Sequence, residues 1–103
     1  MPAYMLIEAR ITDPQRFAEY ARANPPIIAR YGGRYLAMRG LVEALEGDLG
    51  EAKIVVSEWP DVEAARRYWN SPEYNAIKPL RAGTGEFRVL LVEGTAPPSQ
   101  ALG

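Results

Sequence analysis

Between Ala3 and Ile11 the chain changes face at every residue. Met5, Ile7, Ala9 and Ile11 fall on one side, and Tyr4, Leu6, Glu8 and Arg10 on the other. A period of two marks a strand with one face in a core. Thr12-Asp13-Pro14 follows at once. Thr12 or Asp13 can take up the free backbone N–H groups of a helix start, and Pro14 suits the first turn because it has no N–H to lose. This strand-then-helix unit occurs twice in the chain, and its repetition governs what the chain can become.

The first helix is expected to run to about Ala23, with Phe17, Tyr20, Ala21 and Asn24 on one stripe and Arg16, Glu19 and Arg22 elsewhere on its surface. Pro25-Pro26 should kink or restart it. Ile27, Ile28 and Tyr31 carry the apolar face on until Gly32-Gly33 stops the helix. Arg34 to Arg39 reads as a second strand, with Gly40 at a bulge or bend and Leu41 to Glu46 continuing the same arm. After the turn Gly47-Asp48-Leu49-Gly50, Ala52 to Trp59 forms a third strand rich in β-branched residues.

Pro60-Asp61 opens a second helix that buries Val62, Ala65, Tyr68 and Trp69. Ser71-Pro72-Glu73 starts a short third helix reaching Arg81, its last turn loosened by Pro79. Glu86 to Glu93 is the last strand. Residues 1–94 make one domain, and residues 95–103, with Pro97-Pro98, a loose tail.

Strand, helix, strand, strand, helix pair, strand is the βαββαβ order of the ferredoxin-like α+β fold. Its helices cover one face of an antiparallel sheet. The other face mixes Leu, Val and aromatic residues with charge, and nothing in the chain remains to cover it. A second copy is expected there, as a homodimer burying roughly 2,000 Å² or more.

Composition narrows the chemistry. The chain has 103 residues and a net charge of -1, so it lacks the cationic surplus that nucleic-acid binding draws on. It has no Cys and no His. That removes disulfides, thiolate nucleophiles, the commonest general base and the main transition-metal ligands, so no metal, haem or other cofactor is expected. No apolar run reaches the roughly 20 residues of a membrane span. The start, Met1-Pro2-Ala3-Tyr4, lacks the charged opening of a signal peptide, so a cytoplasmic location is expected.

Five residues are candidates for a ligand site: Tyr20, Arg34, Trp69, Tyr74 and Arg81. Tyr and Trp outnumber Phe, and their polar ends need partners when buried, which suits a cavity with flat walls and a few polar handles as well as it suits a core. Arg34 begins a strand after a glycine stop. It is either surface or the rim of a pocket, where its fork would hold a carboxylate or enolate. Arg81 either caps a helix end or, beside Gly83 and Gly85, closes over an anion. If Arg34 and Arg81 share one cavity walled by Trp69 and Tyr74, that cavity prefers small anionic or enolic ligands. Glu8, Glu58 and Glu93 are tuned bases or partners of Arg10, Lys53 or Arg88. The acidic stretch 43–48 lacks the spacing of a calcium loop, and Gly83-Thr84-Gly85 opens a strand, not a helix, so it is no dinucleotide fingerprint.

The run Tyr31-Gly32-Gly33-Arg34-Tyr35-Leu36, then Glu46-Gly47-Asp48, Ser57-Glu58-Trp59-Pro60, Glu63-Ala64-Ala65, Ser71-Pro72-Glu73-Tyr74 and Leu91-Val92-Glu93-Gly94, resembles the bacterial domain-of-unknown-function family 1330 from about Pro2 to Gly94. The resemblance implies the dimeric α/β barrel fold, a homodimer and a bacterial source. It implies no activity. The expectation is an uncharacterised protein with a small-molecule pocket, suited to cofactor-free proton transfer or oxygenation of an enolisable, anionic substrate. The alternatives are a ligand-binding or sensing module and a purely structural dimer.

Overall fold

The computed structural model describes residues 1–95. The tail expected at 95–103 lies, past Thr95, outside the described residues. The elements are β1 (Ala3–Ile11), α1 (Pro14–Arg30), β2 (Arg34–Ala37), β3 (Lys53–Trp59), α2 (Val62–Trp69), α3 (Pro72–Ile77), a 3-10 turn (Lys78–Arg81) and β4 (Gly85–Glu93). The strands form one antiparallel sheet in the order β2-β3-β1-β4. This is the ferredoxin-like α+β arrangement, with all helices on one face.

Each helix starts where a side chain takes up backbone N–H groups. Asp13 accepts from the Arg16 amide at 3.2 Å. Asp61 accepts from that of Ala64 at 2.7 Å. Ser71 accepts from that of Tyr74 at 3.0 Å while its hydroxyl donates to the Tyr68 carbonyl at 2.8 Å. Pro14 and Pro72 occupy first helical turns. Pro79 coincides with the tighter 3-10 turn that ends the helical run.

Two local expectations need correction. Pro25-Pro26 does not restart the helix, and α1 carries both prolines through to Arg30. Asn24, Ile27 and Ile28 bracket them and are buried, so packing of that face holds the helical course despite the lost backbone bonds. The second strand ends at Ala37, and residues 41–46 do not extend it. The irregularity comes earlier than Gly40, between Tyr35 and Ala37 opposite β3. Arg39 then takes a left-handed backbone, φ 65°, which no strand continues through.

Register sets the two faces of the sheet. Met5, Ser57 and Leu91 align across β1, β3 and β4, as do Ile7, Val55 and Val89, and then Ala9, Lys53 and Phe87. This face meets the helices. The core lies toward one end, where Trp59 packs on Tyr68 at 4.7 Å beside Ala3, Ile27, Ile28 and Ala65. The opposite face carries Tyr4, Leu6, Glu8, Ile54, Val56, Glu58, Leu90 and Val92. On it Arg10 and Arg88 both pair with Glu8, and Arg34 pairs with Glu58 at 2.8 Å.

Candidate functional site

Toward the other end, α1 and the sheet do not close on each other. A cavity of about 540 Å³ separates them. Phe17, Ala18, Tyr20, Ala21 and Asn24 of α1 form its roof, and Met5, Ile7, Ala9, Val55 and Ser57 its floor. Ala9, Ala18 and Ala21 put methyl groups where larger side chains would fill the gap, because an ordinary interior is close-packed. Trp59 and Ile28 line the cavity from the core end. Met38, Arg39, Gly40 and Val42, from the segment after β2, line the side beyond the β2 and β3 edge.

A chain of hydroxyl and amide groups runs along the wall. Tyr68 donates to the Asn24 side-chain carbonyl at 2.7 Å, and the Asn24 amide donates to the Tyr20 hydroxyl at 3.4 Å. Tyr20 and Tyr74 share a bond of 2.9 Å, and Arg81 donates to the Tyr74 hydroxyl at 3.5 Å. The Trp59 indole N–H donates to Ser57 Oγ at 3.0 Å. Among the described residues no buried side-chain polar atom is left without a partner.

The electrostatics are one-sided. Arg39, Lys53 and Arg81 line the cavity, and no Asp or Glu among the described residues does. The Arg81 guanidinium lies 4.9 Å over the Phe87 ring and 5.7 Å from that of Tyr20, with no carboxylate partner among the described residues. An arginine half-buried on aromatic faces keeps its charge. Three of the tyrosines, Tyr20, Tyr35 and Tyr68, keep their protons. Burial, with Tyr74 adding, pushes the Tyr35 hydroxyl up to about 12, Arg39 pulling weakly the other way. Burial, again with Tyr74 adding, holds Tyr20 and Tyr68 further above the usual tyrosine value. These hydroxyls donate and accept hydrogen bonds at neutral pH and do not act as bases.

Four of the five sequence candidates, Tyr20, Trp69, Tyr74 and Arg81, line this cavity. Trp69 and Tyr74 pack at 5.1 Å, and Lys78 sits 4.5 Å from the Trp69 ring. Arg34 does not join them. Its partner in register is Glu58, on the open face of the sheet, so Arg34 and Arg81 lie on opposite faces and the shared two-arginine cavity is overturned. The space is roofed by α1, with Tyr68 and Trp69 of α2 and Tyr74 of α3 lining it as well.

The sequence reading missed Arg39 and Lys53. Lys53 stood only as an ion-pair partner for a strand glutamate, whereas Glu8 takes Arg10 and Arg88, and Glu58 takes Arg34. It also set Tyr68 in the core alone and placed Asn24 on a stripe without a partner. The pairing of that stripe with a buried second-helix Tyr was the available signal. Among the described residues no group of three or more His, Cys, Asp or Glu stands close enough to hold a metal ion. No helix of the described chain is long and apolar enough to cross a membrane.

The model of a domain of unknown function, DUF1330, matches residues 2–95. No curated protein is similar enough to match. Among solved structures, a protein of unknown function from Rhodopseudomonas palustris is 21% identical, with a TM-score of 0.75, over 93% of this chain and 84% of that one. SnoaB, a cofactor-independent oxygenase from Streptomyces nogalater, is 13% identical with a TM-score of 0.65, over 94% of this chain and 96% of its own. A NIPSNAP domain protein from Burkholderia xenovorans is 20% identical with a TM-score of 0.57, over 93% of this chain and 96% of its own. At these identities the likeness is one of fold, that of the dimeric α/β barrel type.

Proposed function

The chain belongs to the DUF1330 family, and since that family is defined without a function, we propose from the site itself that the protein binds a small anionic or enolic ligand in the cavity under α1. One observation carries the reading: among the described residues three cations and no carboxylate line an otherwise apolar and aromatic space. Flat apolar walls favour a flat apolar body, and cations without a carboxylate partner among the described residues favour negative charge on it. The protonated tyrosines supply hydrogen bonds to an oxyanion, with Arg81 behind Tyr74.

Among the described residues no His and no carboxylate lines the cavity, and Tyr20, Tyr35 and Tyr68 hold their protons, so the ligand itself must ionise, releasing its proton to solvent. An enol or phenol with an accessible pKa does so beside Arg81, because a nearby positive charge favours the charged form. Ionisation of the ligand is the first step shared by cofactor-free proton transfer and by reaction with dioxygen. SnoaB, named as a cofactor-independent oxygenase, has the same fold, and that likeness supports oxygen chemistry by analogy only.

A homodimer is part of the same reading. The sheet face away from the helices carries Leu36, Leu90 and Val92, each 43% exposed or more, beside self-complementary Arg–Glu pairs.

The test is melting temperature with hydroxynaphthoic acid, naphthol and naphthoic acid, followed by the absorbance of the bound hydroxyl. A rise in melting temperature with a lowered hydroxyl pKa on binding is expected, and both are reduced in Arg81→Gln. No rise with any of the three probes overturns the reading. Oxygen uptake by a bound enol then separates turnover from binding alone.

A further inference from the structure

The three cavity cations are not grouped together. Lys53, Ala9 and Phe87 stand in one row across β3, β1 and β4, and Arg81 lies over Phe87. Neighbouring strands are about 4.8 Å apart, so the backbones of Lys53 and Phe87 are roughly 10 Å apart, with only the Ala9 methyl group between them. Arg39 lies on the Lys53 side, because β2 is the strand beyond β3. Arg39 and Lys53 therefore flank the cavity along one sheet edge and Arg81 along the other.

The backbone supports a role for Arg39. It is the one non-glycine residue among those described with a positive φ, 65°, a conformation that disfavours an arginine. Gly40 follows it, with nothing within 4 Å of where a side chain would start. Neither Arg39 nor Lys53 forms an ion pair among the described residues. The segment spends a strained position on a side chain that lines the cavity, and the charge there has no carboxylate to neutralise it.

We infer that the ligand carries two acidic groups at opposite ends of a flat apolar body: an enol or phenol oxygen met by Arg81 and Tyr74, and a carboxylate met by Arg39 and Lys53. The substrate class is thus a hydroxylated aromatic or cyclic enolic carboxylic acid. This rests on the reading under Proposed function and narrows it. A carboxylate is ionised throughout the neutral range and recruits the ligand. The weakly acidic hydroxyl is then placed beside the guanidinium that lowers its pKa.

The same three probes separate the two claims when affinity is measured by calorimetry on the parent, Arg39→Gln, Lys53→Gln and Arg81→Gln. In the parent, hydroxynaphthoic acid is expected to bind at least tenfold more tightly than naphthol, which lacks the carboxylate. That advantage should fall severalfold in Arg39→Gln and in Lys53→Gln and persist in Arg81→Gln. The advantage over naphthoic acid, which lacks the hydroxyl, should show the reverse pattern. Equal affinity of hydroxynaphthoic acid and naphthol overturns the inference while leaving the cavity as an anion site. So does a carboxylate advantage undiminished in both the Arg39 and Lys53 variants. Absence of binding by all three probes overturns the parent reading and this one with it. Melting temperatures of the unliganded Arg39 and Lys53 variants, expected within a few degrees of the parent because both side chains are exposed, show that the fold is intact.

Discussion

The hydroxyls of Tyr20 and Tyr74 meet at 2.9 Å, joining the long first helix to the short third one beside the cavity. Their rings stand nearly edge to face, 6.2 Å apart. The bond spans the gap that the alanines of α1 leave open, so it holds the roof where packing does not. Replacing either tyrosine by Phe removes this bond, worth about 1 kcal/mol, together with a longer one from Asn24 to Tyr20 or from Arg81 to Tyr74. For a domain of this size that lowers the melting temperature by roughly 4–8 °C. Since both variants lose the same bond, the double variant should cost less than the two single ones added together, and chemical denaturation of the four proteins measures the difference.

Gly33 marks the closed end of the cavity. A Cβ there would stand 2.7 Å from two ring atoms of Trp59 and 2.8 Å from Ile28 Cγ2. Trp59 is 1% exposed and cannot swing away. Gly33→Ala should destabilise by about 1–3 kcal/mol, the usual range for overpacking a filled core, as read from urea unfolding. An unchanged midpoint would mean that the Trp59 end is looser than the packing indicates.

How much of this was written in the chain differs from place to place. Strand alternation at Ala3–Ile11 and the caps at Asp13 and Ser71 are local signals, and they place the elements correctly. The double proline is also local, but burial of Ile27 and Ile28 outweighs it, and no window of sequence shows that burial. The face of Arg34 depends on one residue of register, which the pairing with Glu58 settles. The cavity is the least legible feature. It arises because Ala9 and Ala21, ordinary small residues, face each other across the layers, and opposition across layers belongs to the tertiary fold. The cation at Arg39 depends on a left-handed backbone at a residue type that seldom adopts one.

Alkaline pH should unfold the protein through its tyrosines. Tyr35 has a pKa raised from 10.0 to about 12 by burial. Below the ordinary value both folded and unfolded chains keep the proton, and stability is independent of this group. Between the two values the unfolded chain releases the proton and the folded one retains it, so stability falls as pH rises through that window. Tyr20 and Tyr68, raised further by burial, extend the loss to higher pH. Tyrosinate absorbance from Tyr20, Tyr35 and Tyr68 should therefore appear together with loss of helical circular dichroism. A single smooth titration with the fold intact would contradict the burial of the Tyr20–Tyr74 roof.

The homodimer is tested at Leu90, which is 49% exposed on the face of β4 opposite the helices. A charge there costs an exposed site little in a monomer but is expensive in a sealed interface. Leu90→Glu should give a folded monomer in sedimentation equilibrium at micromolar concentration, while the parent sediments as a dimer. A monomeric parent would remove the dimer from the proposal.

Arg34 provides the control that separates the two faces of the sheet. Its guanidinium pairs with Glu58 at 2.8 Å, and its side chain is 70% exposed in the described chain. An exposed pair of this kind contributes about 0.2–1 kcal/mol. Arg34→Ala should therefore lower stability slightly and leave the affinity for hydroxynaphthoic acid within twofold of the parent. Arg81→Gln should weaken that affinity by about tenfold or more, because a hydrogen bond to a charged group contributes about 1.5–3 kcal/mol. The contrast does not depend on knowing the natural ligand, since both variants meet the same probe. If Arg34→Ala weakens binding as much as Arg81→Gln does, the anion is not held under α1 but on the open face of the sheet.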